Sequence, residues 1–329
     1  VKRIRLCLSV LLALSGCRGA DGSVPARISD TVAHFFLTEF RGAITEPDGL
    51  VKSGVACLSY PSHWGKPVGP VESTPIVWEG QVLLVTGNSH HGATDGSLRI
   101  DTFGCTRNIA RVSVPGLHYI SAFTQNHTVF VFGASGKGLL GSSGKPAIQM
   151  LSSRDLVHWS KPVSVLYAPP DVLFFNTSVT RDASGYLMAI ESLDKAYGPT
   201  FLVHFARSAD LLSWKLIPPA FVDTPVANDP WLRFDPRDGF YYTIYGNWRA
   251  GQQLALVARS RDLKNWQKSP RAAFSPDWGE GSSTAQVSAA EKDGWVYFGY
   301  ARGDQTQWLE TSTAKWRGTL HNYLKSFFD

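Results

Sequence analysis

The sequence predicts an all-β fold, and within that class a five-bladed β-propeller of four-stranded antiparallel blades. Three observations carry the prediction. The first is composition: of 329 residues 43% are apolar and 18% charged, and 11 Trp, 11 Tyr and 18 Phe stand beside 30 Gly, 19 Pro and only 2 Met. Aromatic residues suit half-buried strands and Gly and Pro suit tight turns, so this balance favours short strands over helices. The second is a seven-residue signature, S-x-D-L-x-x-W, present without gaps as Ser153-Arg154-Asp155-Leu156-Val157-His158-Trp159, Ser208-Ala209-Asp210-Leu211-Leu212-Ser213-Trp214 and Ser260-Arg261-Asp262-Leu263-Lys264-Asn265-Trp266. Counted Asp to Asp, the spacings are 55 and 52 residues, the length of one supersecondary repeat. The third is a hairpin pattern upstream of each signature, two apolar runs joined by a Gly- or Asn-containing turn.

Taken in order, the first unit covers 72–115 and opens on a hairpin turning at Glu79-Gly80. The second, 116–168, turns at Asn126 and has its third strand at 147–151, ahead of the first signature. The third, 172–219, turns through Asp182-Ala183-Ser184-Gly185, with a third strand at 201–205. The fourth, 226–270, turns through Asp235-Pro236-Arg237-Asp238-Gly239, with a third strand at 254–257, and the fifth, 280–317, turns through Lys292-Asp293-Gly294. In each signature the Asp can accept from the backbone of its own turn, the Leu can plug the blade core, and the Trp can open the outer strand against a neighbour. Four strands per unit and five units describe a propeller, whereas a sandwich leaves one signature recurring at one phase unexplained. The tail 320–328 has apolar residues at helical spacing and is expected to pack as a short helix or latch.

Residues 1–17 place Lys2, Arg3 and Arg5 before an apolar stretch at 6–14 and then small residues, the order of a secretory signal too short to span a bilayer. Leu14-Ser15-Gly16-Cys17 resembles the bacterial lipoprotein box, which implies cleavage before Cys17 and lipidation of it. The expected organisation is a signal peptide at 1–16, a polar tether at 17–40 and one propeller domain at 41–329. Localisation is then the cell envelope, anchored in the outer membrane by preference, otherwise secreted or periplasmic. Of the formal charge of +5, three belong to the signal, and no Lys/Arg-rich run remains, so nucleic acid is not an expected partner. With Cys7 removed and Cys17 lipidated, Cys57 and Cys105 are left in a compartment that permits a disulfide without requiring one. No C-x-x-C or His-x-x-x-His occurs, and His90-His91 fits a solvated loop better than a metal site.

With its signature in three consecutive units, the chain from about residue 70 to 317 resembles the five-bladed glycoside hydrolases of the arabinanase, levansucrase and invertase superfamily, which includes glycoside hydrolase families 43 and 32. The resemblance implies a carbohydrate ligand in a pocket on the propeller axis, attacked by carboxyl groups carried on several blades. It implies no cofactor; an axial calcium ion is known in some related propellers, but no ligand spacing here calls for one. In such proteins the pocket is lined by the starts of first strands and the ends of second strands. Those phases hold Glu72, His118, Tyr119, Asn176, Asp229, Trp231 and Glu280 at the starts, and Glu191, Asn247, Trp248, Arg302 and Asp304 at the ends.

Glycoside hydrolysis ordinarily needs two carboxyl groups, one of them kept protonated by its surroundings. Glu191 is the candidate general acid, with Asp229 and Glu72 sharing the roles of base or nucleophile and of charged neighbour. His118, Tyr119, Asn176, Trp231, Asn247, Arg302 and Asp304 are candidates for binding the sugar. Each has a structural alternative: Glu72 as a solvated loop residue, Asp229 bonded to nearby backbone, Trp231 and Tyr119 as interblade packing, Arg302 paired with Asp304. Glu191 follows the apolar run 186–190, where a carboxyl is costly unless partnered, and this favours function. Glu280, in a Gly-rich loop, is expected at the surface.

The chain departs from both families. Invertase-like members carry Asn-Asp-Pro in the first blade, whereas Asn228-Asp229-Pro230 falls in the fourth unit. Family 43 members begin their first two blades with Asp and the third with the acid Glu, where this sequence has Glu72, His118 and Asn176. Two readings therefore stand: an exo-acting glycoside hydrolase on an extracellular or periplasmic carbohydrate, and a non-catalytic carbohydrate-binding propeller lipoprotein. A partner-binding lipoprotein is a third, resting only on the versatility of propellers.

Overall fold

The structure, a computed structural model, describes residues 46–53, 57, 60–61, 67–68, 71–88, 97–136, 139, 144–277, 279–304 and 308–329. The expected signal segment with Cys7, the expected lipidation site Cys17, the expected tether and His90-His91 lie outside the described residues. No helix among the described residues is long and apolar enough to cross a membrane.

Nearly every described segment is strand. After β1 (Leu50–Lys52) and a two-strand ladder of β2 (Tyr60–Pro61) with β3 (Pro67–Val68) comes the meander β4 (Glu72–Trp78), β5 (Gln81–Asn88), β6 (Ser97–Thr102), β7 (Asn108–Ser113). Two more follow: β8 (His118–Gln125), β9 (Thr128–Ser135), β10 (Ala147–Ser153), β11 (Val163–Tyr167), and β12 (Val172–Asp182), β13 (Gly185–Asp194), β14 (Phe201–Ser208), β15 (Lys215–Phe221). These are three separate four-stranded antiparallel sheets. The strands β16 (Asn228–Asp235), β17 (Phe240–Arg249), β18 (Gln252–Ser260), β19 (Gln267–Phe274), β20 (Ser283–Lys292), β21 (Trp295–Asp304) and β22 (Trp308–Arg317) join with β1 in one eight-stranded sheet. Within it two antiparallel meanders meet at a parallel bridge, Gln253 to Ser283, so this sheet is mixed and not purely antiparallel as the sequence predicts.

The signature builds the corner before the outer strand in the same way three times. The Ser hydroxyl accepts from the Leu N–H at 2.9, 2.9 and 3.0 Å, and the Asp carboxylate accepts from the two N–H groups that follow the Leu. The Trp indole donates back to the Leu carbonyl. Leu156, Leu211 and Leu263 are all left-handed, with φ of 63°, 66° and 63°, and all buried in core clusters. Burial offsets the strain of that conformation, roughly 1–2 kcal/mol for an L-residue. Trp214 packs edge-on against Phe132 of the preceding sheet and Trp266 stacks on Phe205, so the Trp joins one sheet to the next.

The innermost strands β4, β8, β12, β16 and β20 all line one cavity of about 210 Å³. An innermost strand leaves half its N–H groups without a ladder partner. Hydroxyls of the preceding unit accept some of them: Ala122 donates to Thr74 at 3.3 Å, Leu232 to Ser178 at 2.9 Å and Phe234 to Thr180 at 3.1 Å. Residues 320–328 do form a helix, α1 (Leu320–Lys325), capped by the Thr319 hydroxyl and burying Leu320, Tyr323 and Leu324. Leu320 closes one end of the axial cavity.

There are two closures, and only the first was not anticipated from the sequence. β1 pairs antiparallel with β22, making it the outer strand of the last meander. Cys57, whose N–H donates to the Thr311 carbonyl at 2.7 Å, forms a disulfide with Cys105 of the first meander, the pairing that the sequence left open.

Candidate active site

At the end of the axis away from α1, the innermost strands do not run regularly. β8, β12, β16 and β20 each shift register against the second strand, at His118/Ser121, Phe174/Thr177, Asn228/Trp231 and Ala285/Ser288, while β4 is unbroken. In three of these bulges one residue is left-handed: Tyr119 (φ 54°), Asp229 (φ 49°) and Gln286 (φ 52°). A bulge re-aims a side chain, and backbone outliers of this kind gather at functional sites. Here they bring Asp229 and Gln286 to a small cavity of about 20 Å³ that also holds Glu72, Asn176, Ser121 and Thr177.

The three candidate carboxyl groups converge on this place. Glu72, Glu191 and Asp229 are 2%, 4% and 8% exposed, so Glu72 is a buried strand residue and not a solvated loop residue. The Asn176 amide donates to Glu191 Oε2 at 2.6 Å and to Asp229 Oδ1 at 2.9 Å, which limits the separation of those two oxygens to the sum of the bonds, about 5.5 Å. The Asp229 N–H also donates to Glu191 Oε2 at 3.3 Å, and Gln253 Nε2 donates to Asp229 Oδ2 at 3.2 Å. Burial, and then the neighbouring Asp229 charge, push the Glu191 carboxyl well above its usual range. Burial likewise raises Asp229, against the opposing hydrogen bonds of Gln286 and Gln253. Two buried carboxyl groups this close cannot both ionise easily, so the pair holds a proton toward neutral pH.

Tyr119 stands within electrostatic reach of all three. Burial, then Glu72, Glu191 and Asp229, raise its phenol, which therefore remains a proton donor. Its ring meets Phe175 edge-on at 5.4 Å, and His118 lies beside it at 6.3 Å between centroids, with a buried Nε2 that has no hydrogen-bond partner among the described residues. Gly87, opposite Glu72, is required by space: a Cβ there would lie 2.5 Å from Ile120 and 3.5 Å from Glu72 Oε2.

The remaining candidates lie elsewhere. Trp231 belongs to a core cluster with Tyr242, Ile244 and Val257, and lines the wider cavity toward α1, so it packs and does not offer a face at the carboxyl cluster. Asn247 is fully buried and donates to Asp223 at 3.1 Å and to the Val226 carbonyl, toward the β15–β16 connection. Arg302 forks onto Glu310 at 2.9 and 2.7 Å and lies 3.9 Å from Glu280, while Asp304 ends β21 opposite Trp308. Glu280 is not at the surface: it is buried, accepts from the Tyr300 hydroxyl at 2.6 Å and from the Asp277 N–H at 3.0 Å, and pairs with Lys52 at 3.4 Å.

Sequence reasoning missed Gln253 and Gln286. Gln286 occupies in β20 the bulge position that Tyr119 and Asp229 occupy in β8 and β16, and aligning Ser121, Trp231 and Ser288 would have found it. Gln253 lies on a third strand, outside the phases searched, and carries no charge to mark it. Among the described residues one trio of metal-ligand types is close together: Asp235, Asp238 and His321, with ligand atoms within 4.8 Å of one another. His321 Nδ1 is 2.8 Å from Asp235, so these groups tie α1 to the β16–β17 turn.

No protein-family model and no curated protein sequence matches the chain. Solved structures do match it. The protein BT0996, solved as a complex with RGII, superposes with a TM-score of 0.64 at 15% identity over 86% of this protein and 95% of its own length. A glycoside hydrolase superposes at 0.63 with 14% identity, over 89% and 97% of the two proteins. An N-acetylgalactosamine deacetylase from F. plautii, in complex with blood group B trisaccharide, superposes at 0.57 with 12% identity, over 87% and 98%. In its fold, therefore, this chain is similar to the β-propeller glycoside hydrolases.

Proposed function

We propose that the protein is an exo-acting glycoside hydrolase of five four-stranded blades, acting on an extracellular or periplasmic carbohydrate. The observation that carries the proposal is the buried pair Glu191 and Asp229, bridged by one Asn176 amide beside Glu72 on the axis. Glu191, kept protonated by burial and by Asp229, donates its proton to the glycosidic oxygen as the bond to the anomeric carbon breaks. Positive charge developing on the sugar ring is stabilised by Asp229 and Glu72. Glu72 then either deprotonates a water that attacks the anomeric carbon, with Glu191 reprotonated from solvent, or attacks that carbon itself to form a glycosyl-enzyme, whose Glu72–sugar bond is broken by a second water that gives its proton to Glu191. The carboxyl cluster lies at one end of the axis and Leu320 of α1 lines the wider cavity toward the other, which supports attack at a chain end and not along a through-running polymer.

The proposal includes anchorage at the cell envelope through Cys17, supported by the charged, apolar and small-residue order of 1–17. Incubating the purified protein with a panel of plant and bacterial glycans and identifying released sugars tests the activity. Release of a single monosaccharide from chain ends is expected. Saturable glycan binding with no product would instead favour a carbohydrate-binding propeller, the reading supported by Asn176 and His118 where family 43 enzymes carry carboxyl groups.

A further inference from the structure

Two carboxyl groups that share a proton leave a question that carboxyl geometry alone does not answer: which of them keeps it. The donors around each carboxyl answer it. Asp229 accepts from Asn176 Nδ2 on Oδ1, from Gln253 Nε2 on Oδ2, and from the Gln286 side chain. All three donors are amide N–H groups. A carboxylate offers about four acceptor sites, so a proton on Asp229 would take the site that the three donors leave and would weaken the bonds that depend on the negative charge. Glu191 accepts from the Asn176 side-chain amide and from the Asp229 N–H, both on Oε2, and from the Asn176 backbone N–H, so what distinguishes Asp229 is that two of its donors, Gln253 and Gln286, are side-chain amides that serve it and not Glu191.

The orientation of Gln253 is itself fixed. The residue is fully buried, and its Oε1 accepts from the Ser283 hydroxyl at 2.7 Å, which turns Nε2 toward Asp229. Gln253 and Ser283 are also the two residues of the parallel bridge that joins β18 to β20. Gly246 lies beneath the amide, and a Cβ there would come within 2.9 Å of Gln253 Nε2. Among the described residues the ionisable groups around the cluster are Glu191 from β13, Glu72 from β4, and Tyr119 with its neighbour His118 from β8; β12, β18 and β20 contribute the neutral amides of Asn176, Gln253 and Gln286. The groups that bond to the Asp229 carboxylate are all neutral amides.

We propose that Gln253, held by Ser283 across the seam of the eight-stranded sheet, is a positioning residue that fixes the negative charge on Asp229 and so leaves the shared proton on Glu191. The inference rests on the hydrolase reading for its catalytic meaning, since it makes Glu191 the proton donor, but its geometry is independent of any substrate.

The test is carboxyl ¹³C NMR on the full-length protein labelled at Asp Cγ and Glu Cδ, titrated with pH, with Asp229→Asn and Glu191→Gln identifying the two signals. In the parent protein Asp229 is expected to lose its proton at lower pH than Glu191. In Gln253→Met, which keeps the volume and removes the donor, the proton affinity of Asp229 should rise about tenfold, as loss of a hydrogen bond to a charged group implies. Ser283→Ala, which only frees the amide to turn, should shift it in the same direction by about threefold. An unchanged Asp229 midpoint in the folded Gln253→Met protein overturns the proposal, and so does a parent protein in which Glu191 ionises first. If Gln253→Met does not fold, an unchanged midpoint in Ser283→Ala overturns it equally. Absence of turnover on any glycan, with these titrations as expected, would count against the hydrolase reading and leave the proton assignment standing.

Discussion

Glu191 and Lys52 are two ionisable groups that burial affects in different ways, the one held neutral and the other held charged by its partners. The folded-state affinity of Glu191 for its proton is raised above that of an unfolded carboxyl, so the folded protein holds more protons than the unfolded one between the two midpoints. Its contribution to stability is therefore present below the unfolded midpoint, about pH 4.3, and is lost as pH rises through the folded one. Glu191→Gln removes this liability, and its melting temperature at pH 8 should equal or exceed that of the parent, which a pH series of thermal scans will measure. Lys52 is the opposite case. Burial works against its ammonium, yet Glu46 and Glu280 hold its pKa above the ordinary value, with bonds of 2.9 and 3.4 Å. Lys52→Met leaves Glu280, only 4% exposed in its side chain, with only the longer contact to Arg302 at 3.9 Å, and should cost up to about 3–5 kcal/mol by chemical denaturation. The double variant Lys52→Met/Glu280→Gln should recover a large part of that. The carboxyl candidates were legible in the sequence because an acid beside an apolar run needs an explanation. Gln253 was not, because a neutral amide in a strand needs none, and Glu280 was misread because a Gly-rich neighbourhood suggests solvent while Lys52 and Tyr300 come to it from far along the sequence.

Among the elements, the repeated corner was the most legible feature, since every bond of S-x-D-L-x-x-W is local to seven residues. The hydroxyl, carboxylate and indole close the turn within the motif, and hydrogen bonds from Asn265 and from Leu212 and Ser213 hold Asp262 and Asp210 below the usual carboxylate range. The Leu is the part that reaches into the core. Leu211→Ala should cost roughly 2–5 kcal/mol in denaturant unfolding, because it empties a buried position in the core cluster that holds Phe132 and Trp214 while keeping the strained backbone. A loss below about 1 kcal/mol would mean that the corner, and not the plug, carries the motif. β1 was not legible: three residues, Leu50, Val51 and Lys52, carry no alternation long enough to be read as a strand, and it is made one by its pairing with β22. The bulges of β8, β12, β16 and β20 were equally hidden, since a one-residue shift in register leaves no mark on composition.

Across the whole molecule, the first and last meanders are tied by long-range contacts. β1 covers β22, the Trp316 indole donates to the Asp48 carbonyl at 2.8 Å, and the Cys57–Cys105 disulfide spans 48 residues of sequence. A cross-link of that span stabilises by about 4 kcal/mol in the chain-entropy description, so reduction should lower the melting temperature by several degrees without removing the β signal in circular dichroism. The same arrangement sets Glu72 of the first meander beside Asp229 of the fourth, and so places closure upstream of the site. The proposal that a buried carboxyl pair on the axis cleaves glycosides with Glu191 as the acid stands or falls on the leaving-group dependence of Glu191→Gln. Turnover of parent and variant is compared on a glycan that the parent hydrolyses and on the 2,4-dinitrophenyl glycoside of the same terminal sugar, which leaves without protonation. The expected result is a fall of about 10²–10⁴-fold on the glycan and a much smaller one on the dinitrophenyl substrate. Equal losses on both substrates, or none on either, would contradict it.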